Sequence, residues 1–136
     1  MTTTTTQSIP TIELGSTGEQ VSRLALGCMN LGTHTGDEDS FALLDRYAED
    51  GGTFLDTADC YAWWGERGSS GGHSESVIGR WLKRTGRRDE TFIATKGSGA
   101  ITDLEAAWPA GQAEADWGIA FQHFAGASRP SLRTAL

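Results

Sequence analysis

The amino-acid sequence predicts an α/β fold, the N-terminal part of a (β/α)8 TIM barrel that the chain is too short to close. Short β-branched runs alternate with amphipathic runs in the order strand, helix, strand, helix, strand, which is the pattern of parallel βαβ units. Strands begin at Val21, Thr53 and Thr91, so successive units are 32 and 38 residues long. Eight such units would total roughly 280 residues, near the roughly 250 of a complete barrel. The chain has 136.

Two short strands around a glycine turn come first. We expect residues 1–10 to form a disordered tail, because they open with a polar threonine tract that lacks the apolar run of a secretory signal. The strands Thr11–Leu14 and Val21–Leu26 flank the turn Gly15–Gly18, which favours a hairpin. The partial barrel is then predicted to occupy residues 11–136.

Two helices and two further strands follow. Acidic residues at Asp37–Asp39 favour a helix N-terminus, and Gly51-Gly52 ends that helix. Its apolar residues at helical spacing are Phe41, Leu44, Tyr47 and Ala48. Thr53–Thr57 is typical of a buried parallel strand. After a glycine-rich loop, Ser74-Glu75 opens a second helix with the apolar face Val77, Ile78, Trp81 and Leu82, and a third barrel strand spans Thr91–Lys96.

The C-terminal third shows no sustained period between Gly97 and Ala127. Ser128 then resembles the N-cap of a new helix, with Pro130 in its first turn. The sequence stops at Leu136, so we expect a chain that breaks off within this helix, after the third barrel strand.

Composition excludes several classes of partner. The net charge of −7 and pI near 4.8 disfavour nucleic acid and anionic membranes, which require a basic face. No apolar run approaches the roughly 20 residues that cross a bilayer. Cys28 and Cys60 lack the spacing of a metal or redox motif. We therefore expect two free thiols in a reducing cytoplasm.

Three polar residues follow the predicted barrel strands. Asp56 and Lys96 end neighbouring strands and Tyr61 lies in the loop between, at the end of the strands where barrel active sites are built. Such a lysine would favour the tyrosine anion and lower the pKa of the phenol, making it a proton donor for a carbonyl oxygen. The carboxylate would hold the lysine in place. These residues alone are also compatible with a structural ion pair between Asp56 and Lys96 and a Tyr61 that only lines the rim of the barrel.

The surrounding sequence resembles the aldo-keto reductase superfamily from about Ile12 to Leu136. The resemblance is carried by Phe54–Tyr61, by Gly72–Glu75 with Ile78–Leu82, and by Ile93–Lys96. It implies a barrel that binds NADPH, or less often NADH, and reduces an aldehyde or ketone. It further implies that Tyr61 is the catalytic acid, Lys96 its partner and Asp56 the residue that pairs with Lys96.

The same resemblance places Gly27, Cys28, Met29 and Asp56 near the cofactor, and makes Trp63 and Trp64 candidates for a substrate wall. It also implies a catalytic histidine on a fourth strand, which would lie beyond Leu136. We interpret His123 as a loop residue because it precedes the last predicted helix. The resemblance leaves the carbonyl substrate, the oligomeric state and the choice between NADPH and NADH open.

Other interpretations are weaker. Gly97-Ser98-Gly99 lacks the third glycine and acidic residue of a dinucleotide loop. A metal site from Asp56, Asp59, His73 and Glu75 matches no ligand spacing, so we predict no metal. A non-enzymatic alternative is a catalytically silent fragment, or a subunit completed by another polypeptide. An uncovered apolar sheet face would make such a chain dependent on a partner.

Overall fold

The computed structural model describes residues 8–33, 35–97, 99 and 101–124; His34 and the helix predicted from Ser128 lie outside them. The described strands and α-helices are β1 (Thr11–Glu13), β2 (Gln20–Ser22), β3 (Leu26–Gly27), α1 (Asp37–Glu49), β4 (Phe54–Asp56), α2 (His73–Thr85), β5 (Phe92–Ala94), α3 (Leu104–Ala107) and α4 (Trp117–Ala120). Short 3-10 helices span Trp63–Gly65, Arg88–Glu90 and Phe121–His123. None of the described helices is both long and apolar enough to cross a membrane.

The strands form two separate sheets. β1 and β2 pair as an antiparallel hairpin in which Ile12 faces Val21. β3, β4 and β5 form a parallel sheet in that order, with Leu26 beside Leu55 and Leu55 beside Ile93. The predicted hairpin and α/β architecture are therefore confirmed, and the described residues form an open three-stranded part of a barrel.

The strand predicted from Val21 to Leu26 is wrong as a single element. The structure bends the chain at Arg23 and Leu24, so that one part pairs in the hairpin and the other in the parallel sheet. Buried Ser22 stabilises the break, because its Oγ donates to the Leu24 carbonyl at 2.9 Å and accepts from the backbone N–H groups of Thr53 and Phe54 at 3.0 and 3.1 Å. Side-chain bonds of this kind divert a strand from its ladder.

One hydrophobic cluster joins the parallel sheet to α1 and α2. We call it the sheet core; it consists of the buried residues Cys28, Leu31, Leu44, Leu55, Val77, Ile78, Trp81 and Leu82. Leu55 faces the helices, so strand alternation turns Phe54 and Asp56 to the opposite face of the sheet. The apolar helix faces predicted from the 3.6-residue period are those that pack here.

Residues 8–10, which we expected in the tail, lie against the turn between α1 and β4. Ile9 N–H donates to the Asp50 carbonyl at 2.7 Å, and Arg23 N–H donates to the Pro10 carbonyl at 2.8 Å. These three residues therefore belong with the folded part of the chain.

A second hydrophobic cluster lies beside the loop that follows β4. We call it the tryptophan cluster; its buried members are Trp63, Ile101, Ala107, Trp108 and Ala120. It includes α3 and α4, each of four residues. One helical turn is too short to show a period, which is why the sequence predicted only turns here. Ile119 and Ala120 lie in α4, and His123 ends a 3-10 helix rather than lying in the loop that we expected.

Candidate active site

The C-terminal ends of β3, β4 and β5 meet at one edge of the parallel sheet. Backbone bonds continue past the strands: Cys28 N–H donates to the Asp56 carbonyl at 2.9 Å, and Thr57 N–H donates to the Ala94 carbonyl at 2.8 Å. Asp59 N–H donates to the Lys96 carbonyl at 2.9 Å. Because these bonds fix the chain beyond each strand, the side chains that follow the strands occupy defined positions.

Lys96 reaches back across this edge to β4. Its Nζ donates to Asp56 Oδ1 and to the carbonyl oxygen of Thr57, both at 2.8 Å. Partial burial by itself lowers the pKa of the Lys96 ammonium, but the hydrogen bond to the Asp56 carboxylate and the neighbouring Tyr61 hydroxyl outweigh it and leave that pKa raised. Lys96 is therefore a cation throughout the neutral range.

Tyr61 lies beside this cation. The Lys96 Nζ is 4.9 Å from the centroid of the Tyr61 ring, within the range of a cation–π contact. The next residue, Ala62, is fully buried and adopts the left-handed conformation with φ of 71°, which costs a non-glycine residue about 1–2 kcal/mol. That turn sends Tyr61 toward Lys96 and Trp63 into the tryptophan cluster.

The loop before α2 packs closely against the turn that carries Tyr61. A Cβ atom at Gly71 would lie 2.6 Å from the Cα atom of Cys60, and Gly71 has φ of 108°. Only a glycine allows this approach without moving one of the two segments. The glycine-rich loop thus holds the tyrosine-bearing turn in place.

The Asp56–Lys96 ion pair contributes little to the stability of the fold. The two side chains are 41% and 50% exposed, and pairs of this kind contribute about 0–1 kcal/mol. A plain ion pair also does not account for the position of Lys96 against the Tyr61 ring. A phenol beside a fixed cation can donate a proton, because the cation stabilises the negative charge that develops on the phenol oxygen.

The residues predicted to lie near the cofactor differ in their exposure and in the hydrogen-bonding groups that they leave free. Gly27 and Met29 are exposed, and a Cβ atom at Gly27 would have nothing within 4 Å. Cys28 is completely buried, its thiol donates to the Leu26 carbonyl, and burial raises the pKa of the thiol to about 11. Its N–H is bonded to Asp56. Cys28 therefore has no free side-chain group to offer a cofactor.

Two residues at this edge were not found by sequence reasoning. Thr57 and Ser74 are both buried and their hydroxyls lie 2.8 Å apart, while Ser74 Oγ donates to the Cys28 carbonyl at 2.7 Å. Their positions in the sequence could have indicated them, because Thr57 directly follows Asp56 and Ser74 lies at the start of α2.

Asp59 is also part of this edge. Both of its carboxylate oxygens are buried, and neither has a hydrogen-bond partner among the residues that the structure describes. The carboxylate lies next to Gly99, where an added Cβ would be 3.4 Å from Oδ1.

The remaining candidates make other contacts. Trp63 is buried in the tryptophan cluster, so of the two predicted wall residues only Trp64 is part-exposed. His73 Nδ1 lies 3.2 Å from Ser69 Oγ, and Glu75 accepts from Thr95. Within the described ranges no three His, Cys, Asp or Glu side chains are placed to hold a metal ion.

Comparison with known proteins identifies the family. The model of the "Aldo/keto reductase family" matches residues 23–122, which include the whole site edge and most of the tryptophan cluster. The chain belongs to the aldo/keto reductase family. The resemblance found in the sequence is thereby confirmed.

Named relatives of this aldo/keto reductase chain include a bacterial and a fungal protein. It is 42% identical over 91 residues to the uncharacterized oxidoreductase YrpG of Bacillus subtilis, covering 66% of this chain and 27% of YrpG. It is 40% identical over 92 residues to the aldo-keto reductase yakc [NADP(+)] of Schizosaccharomyces pombe, covering 65% of this chain and 24% of yakc.

A solved structure agrees with these relatives. The holo form of the aldo-keto reductase AKR11C1 from Bacillus halodurans superposes with a TM-score of 0.53 at 30% identity, covering 80% of this chain and 30% of that one. The chain thus spans about a quarter to a third of the length of these proteins.

Proposed function

We propose that this chain carries the proton-donating part of an NAD(P)H-dependent reductase that converts an aldehyde or ketone to an alcohol. The observation that carries the proposal is the Lys96 ammonium, which is bonded to Asp56 and lies 4.9 Å from the Tyr61 ring centroid. Membership of the aldo/keto reductase family supports the oxidoreductase class.

Each side chain has one role in this proposal. Tyr61 binds the carbonyl oxygen of the substrate and donates its proton as that oxygen gains negative charge. Lys96 stabilises the charge that develops on the phenol oxygen, since its ammonium is held against the Tyr61 ring. Asp56 and the Thr57 carbonyl keep the ammonium in position.

The cofactor part of the proposal depends on the exposed end of β3. NADPH supplies a hydride when bound. Gly27 lies in register with Asp56 in the sheet and has open space above it, so a planar ring can approach this backbone closely. Met29, 46% exposed, offers an apolar contact next to it. The NADP(+) in the name of the fission-yeast relative supports NADPH over NADH.

The decisive experiment replaces Tyr61 by Phe and measures oxidation of NADPH in the presence of an aldehyde. We expect the rate to fall by at least about 100-fold, because general acid catalysis typically contributes 10²–10⁴-fold. Tyr47→Phe is the matched control, since Tyr47 is the other tyrosine of the chain and bonds the backbone of Leu24 and Phe54 instead. It should lower stability and spare the rate. An undiminished rate in Tyr61→Phe refutes the proposal.

A second candidate function is that of a subunit completed by another polypeptide. Phe54 and Phe92 lie side by side on the sheet face opposite the helices, with ring centroids 5.2 Å apart, and both are only half buried. In a closed barrel this face is filled by side chains from the other strands. Its partial exposure favours a covering partner.

A mixing experiment separates the two candidates. The chain is assayed alone and together with a YrpG polypeptide that lacks the 91 residues matched here. Oxidation of NADPH by the chain alone supports a self-sufficient enzyme, whereas activity only in the mixture supports a completed subunit. Repeating the mixture with Tyr61→Phe shows whether the activity depends on this chain.

A further inference from the structure

Ser74 is a completely buried serine whose hydroxyl points away from its own helix. It is the second residue of α2, whose N-cap is Gly72 and has no side-chain cap. A serine satisfies the N–H groups of a helix from the N-cap position, which is Gly72 in α2, so Ser74 is not placed to cap its own helix. Ser74 Oγ instead lies 2.7 Å from the Cys28 carbonyl oxygen and 2.8 Å from Thr57 Oγ1. It joins the segments that follow β3 and β4.

The direction of the protons in this network is fixed. A carbonyl oxygen can only accept, so the single hydroxyl proton of Ser74 belongs to the bond with Cys28. Thr57 must therefore donate its own proton to Ser74 Oγ. The hydroxyls form a chain that runs from Thr57 through Ser74 to the Cys28 carbonyl.

Both ends of this hydrogen-bonded network contact groups that hold the candidate site. The carbonyl of Thr57 accepts from the Lys96 ammonium at 2.8 Å. The N–H of Cys28 donates to the Asp56 carbonyl at 2.9 Å. A movement of Ser74 would therefore reach both the partners of Lys96 and the end of β3.

We propose that Ser74 is a positioning residue that holds the Thr57 carbonyl under Lys96 and thereby sets the ammonium against Tyr61. The effect of Ser74 on catalysis rests on the proposed reductase function, whereas its effect on the position of Lys96 does not. The simpler alternative is that Ser74 only packs α2 onto the sheet, in which case its loss lowers stability without altering Lys96.

The experiment follows the titration of Lys96 by NMR of protein labelled with ¹³C at the lysine ε-carbons. The chain has two lysines, so exposed Lys83 in the last turn of α2 serves as an internal reference. In Ser74→Ala the midpoint for Lys96 should fall by about half a pH unit, a threefold loss of proton affinity, because an acceptor of the cation is displaced. Ser74→Thr keeps the hydroxyl and should restore much of the shift.

The matched control is Ser40→Ala. Ser40 is also completely buried near the start of a helix, but its hydroxyl is 3.4 Å from the Thr35 carbonyl and does not contact the site. This variant should lose stability and leave the Lys96 midpoint unchanged. If Ser74→Ala does not fold, Thr57→Val removes the other hydroxyl at nearly constant shape, and the same fall is expected.

An unshifted Lys96 midpoint in folded Ser74→Ala, or in Thr57→Val where that variant replaces it, overturns the positioning role. Steady-state kinetics of NADPH-dependent aldehyde reduction then test the catalytic consequence: kcat should fall at least tenfold in Ser74→Ala, with little change in KM. A protein that shows the Lys96 shift but reduces no carbonyl would contradict the proposed function and leave the positioning role of Ser74 standing.

Discussion

The sheet core and the tryptophan cluster are built from different kinds of structure. The sheet core joins three parallel strands to two helices of 13 residues each. The tryptophan cluster packs around single helical turns, and Trp117 and Phe121, which extend its aromatic contacts outward from Trp63, are 45% and 67% exposed. Asp56 and Lys96 extend from the sheet, while Tyr61 lies at the boundary between the two clusters.

Because of this difference, the residues of the candidate site and the residues around it are held in place by different kinds of contact. Backbone ladders between strands are regular and cooperative, so they fix Asp56 and Lys96 firmly. The tryptophan cluster is joined to the rest largely by side chains, among them Arg67, whose guanidinium donates to the carbonyls of Trp108, Pro109 and Gln112. The sheet core therefore holds Asp56 and Lys96, while the tryptophan cluster packs against the turn that carries Tyr61 through Cys60 and Trp63.

The largest expected effect comes from the sheet core. Leu55→Ala removes a leucine that is 1% exposed between β4 and the helices, and should lower the free energy of unfolding by about 2–5 kcal/mol. Leu43→Ala is the control, because Leu43 on α1 is 46% exposed and should change stability by less than about 0.5 kcal/mol. Chemical denaturation measures both. Equal effects would mean that the sheet core does not dominate stability.

A smaller and local effect is expected at the tryptophan cluster. Arg67→Lys keeps the charge but cannot reach three carbonyl groups at once, so the region around Trp108 should open more readily, by about 1–2 kcal/mol. Hydrogen exchange should speed up in residues 101–124 and stay unchanged in β4 and β5. Arg23→Lys, at the exposed bend after the hairpin, is the matched control. Faster exchange throughout the chain would show that the two clusters unfold as one unit.

The smallest expected effect concerns a charge on the outside of the sheet core. The indole N–H of Trp81 and then the Arg84 guanidinium hold the pKa of the Asp45 carboxyl below its usual value. A lowered folded pKa gives stability that is present above the unfolded value of about 3.9 and is lost as the pH falls through the folded one. Because the pair is about half exposed, we expect less than about 1 kcal/mol.

Asp45→Asn tests this contribution. The variant should lose less stability than the unchanged protein between pH 6 and pH 2, and the two should differ most at neutral pH. An identical pH dependence of the unfolding free energy in both proteins would contradict the assignment.

Much of the sheet core could be predicted from local sequence. The period of Phe41, Leu44, Tyr47 and Ala48, the acidic start at Asp37 and the glycines at 51 and 52 specify α1 without reference to any other segment. The parallel strands could be placed because β-branched runs alternate with such helices. Asp56 and Lys96 then had to meet, since the ends of parallel strands lie at one edge of a sheet.

The tertiary structure decided what depends on contacts between distant residues. The break between β2 and β3 is stabilised because Ser22 binds the backbone of residues 31 and 32 positions further along the chain. The burial of Cys28 and its bonds to Asp56 and Ser74 likewise depend on residues distant along the chain, while its placement near a cofactor stays a prediction.

The sequence by itself determined the order of the parallel strands and the two long helices, the family, and the three polar residues Asp56, Tyr61 and Lys96, because period and motif are local properties. The tertiary structure alone decided that Tyr61 turns toward Lys96 while Trp63 turns into a core, and that Ser74 faces the strands rather than its own helix. Those outcomes depend on which buried hydrogen-bonding groups and apolar surfaces meet in space. Spacing along the chain does not contain that information.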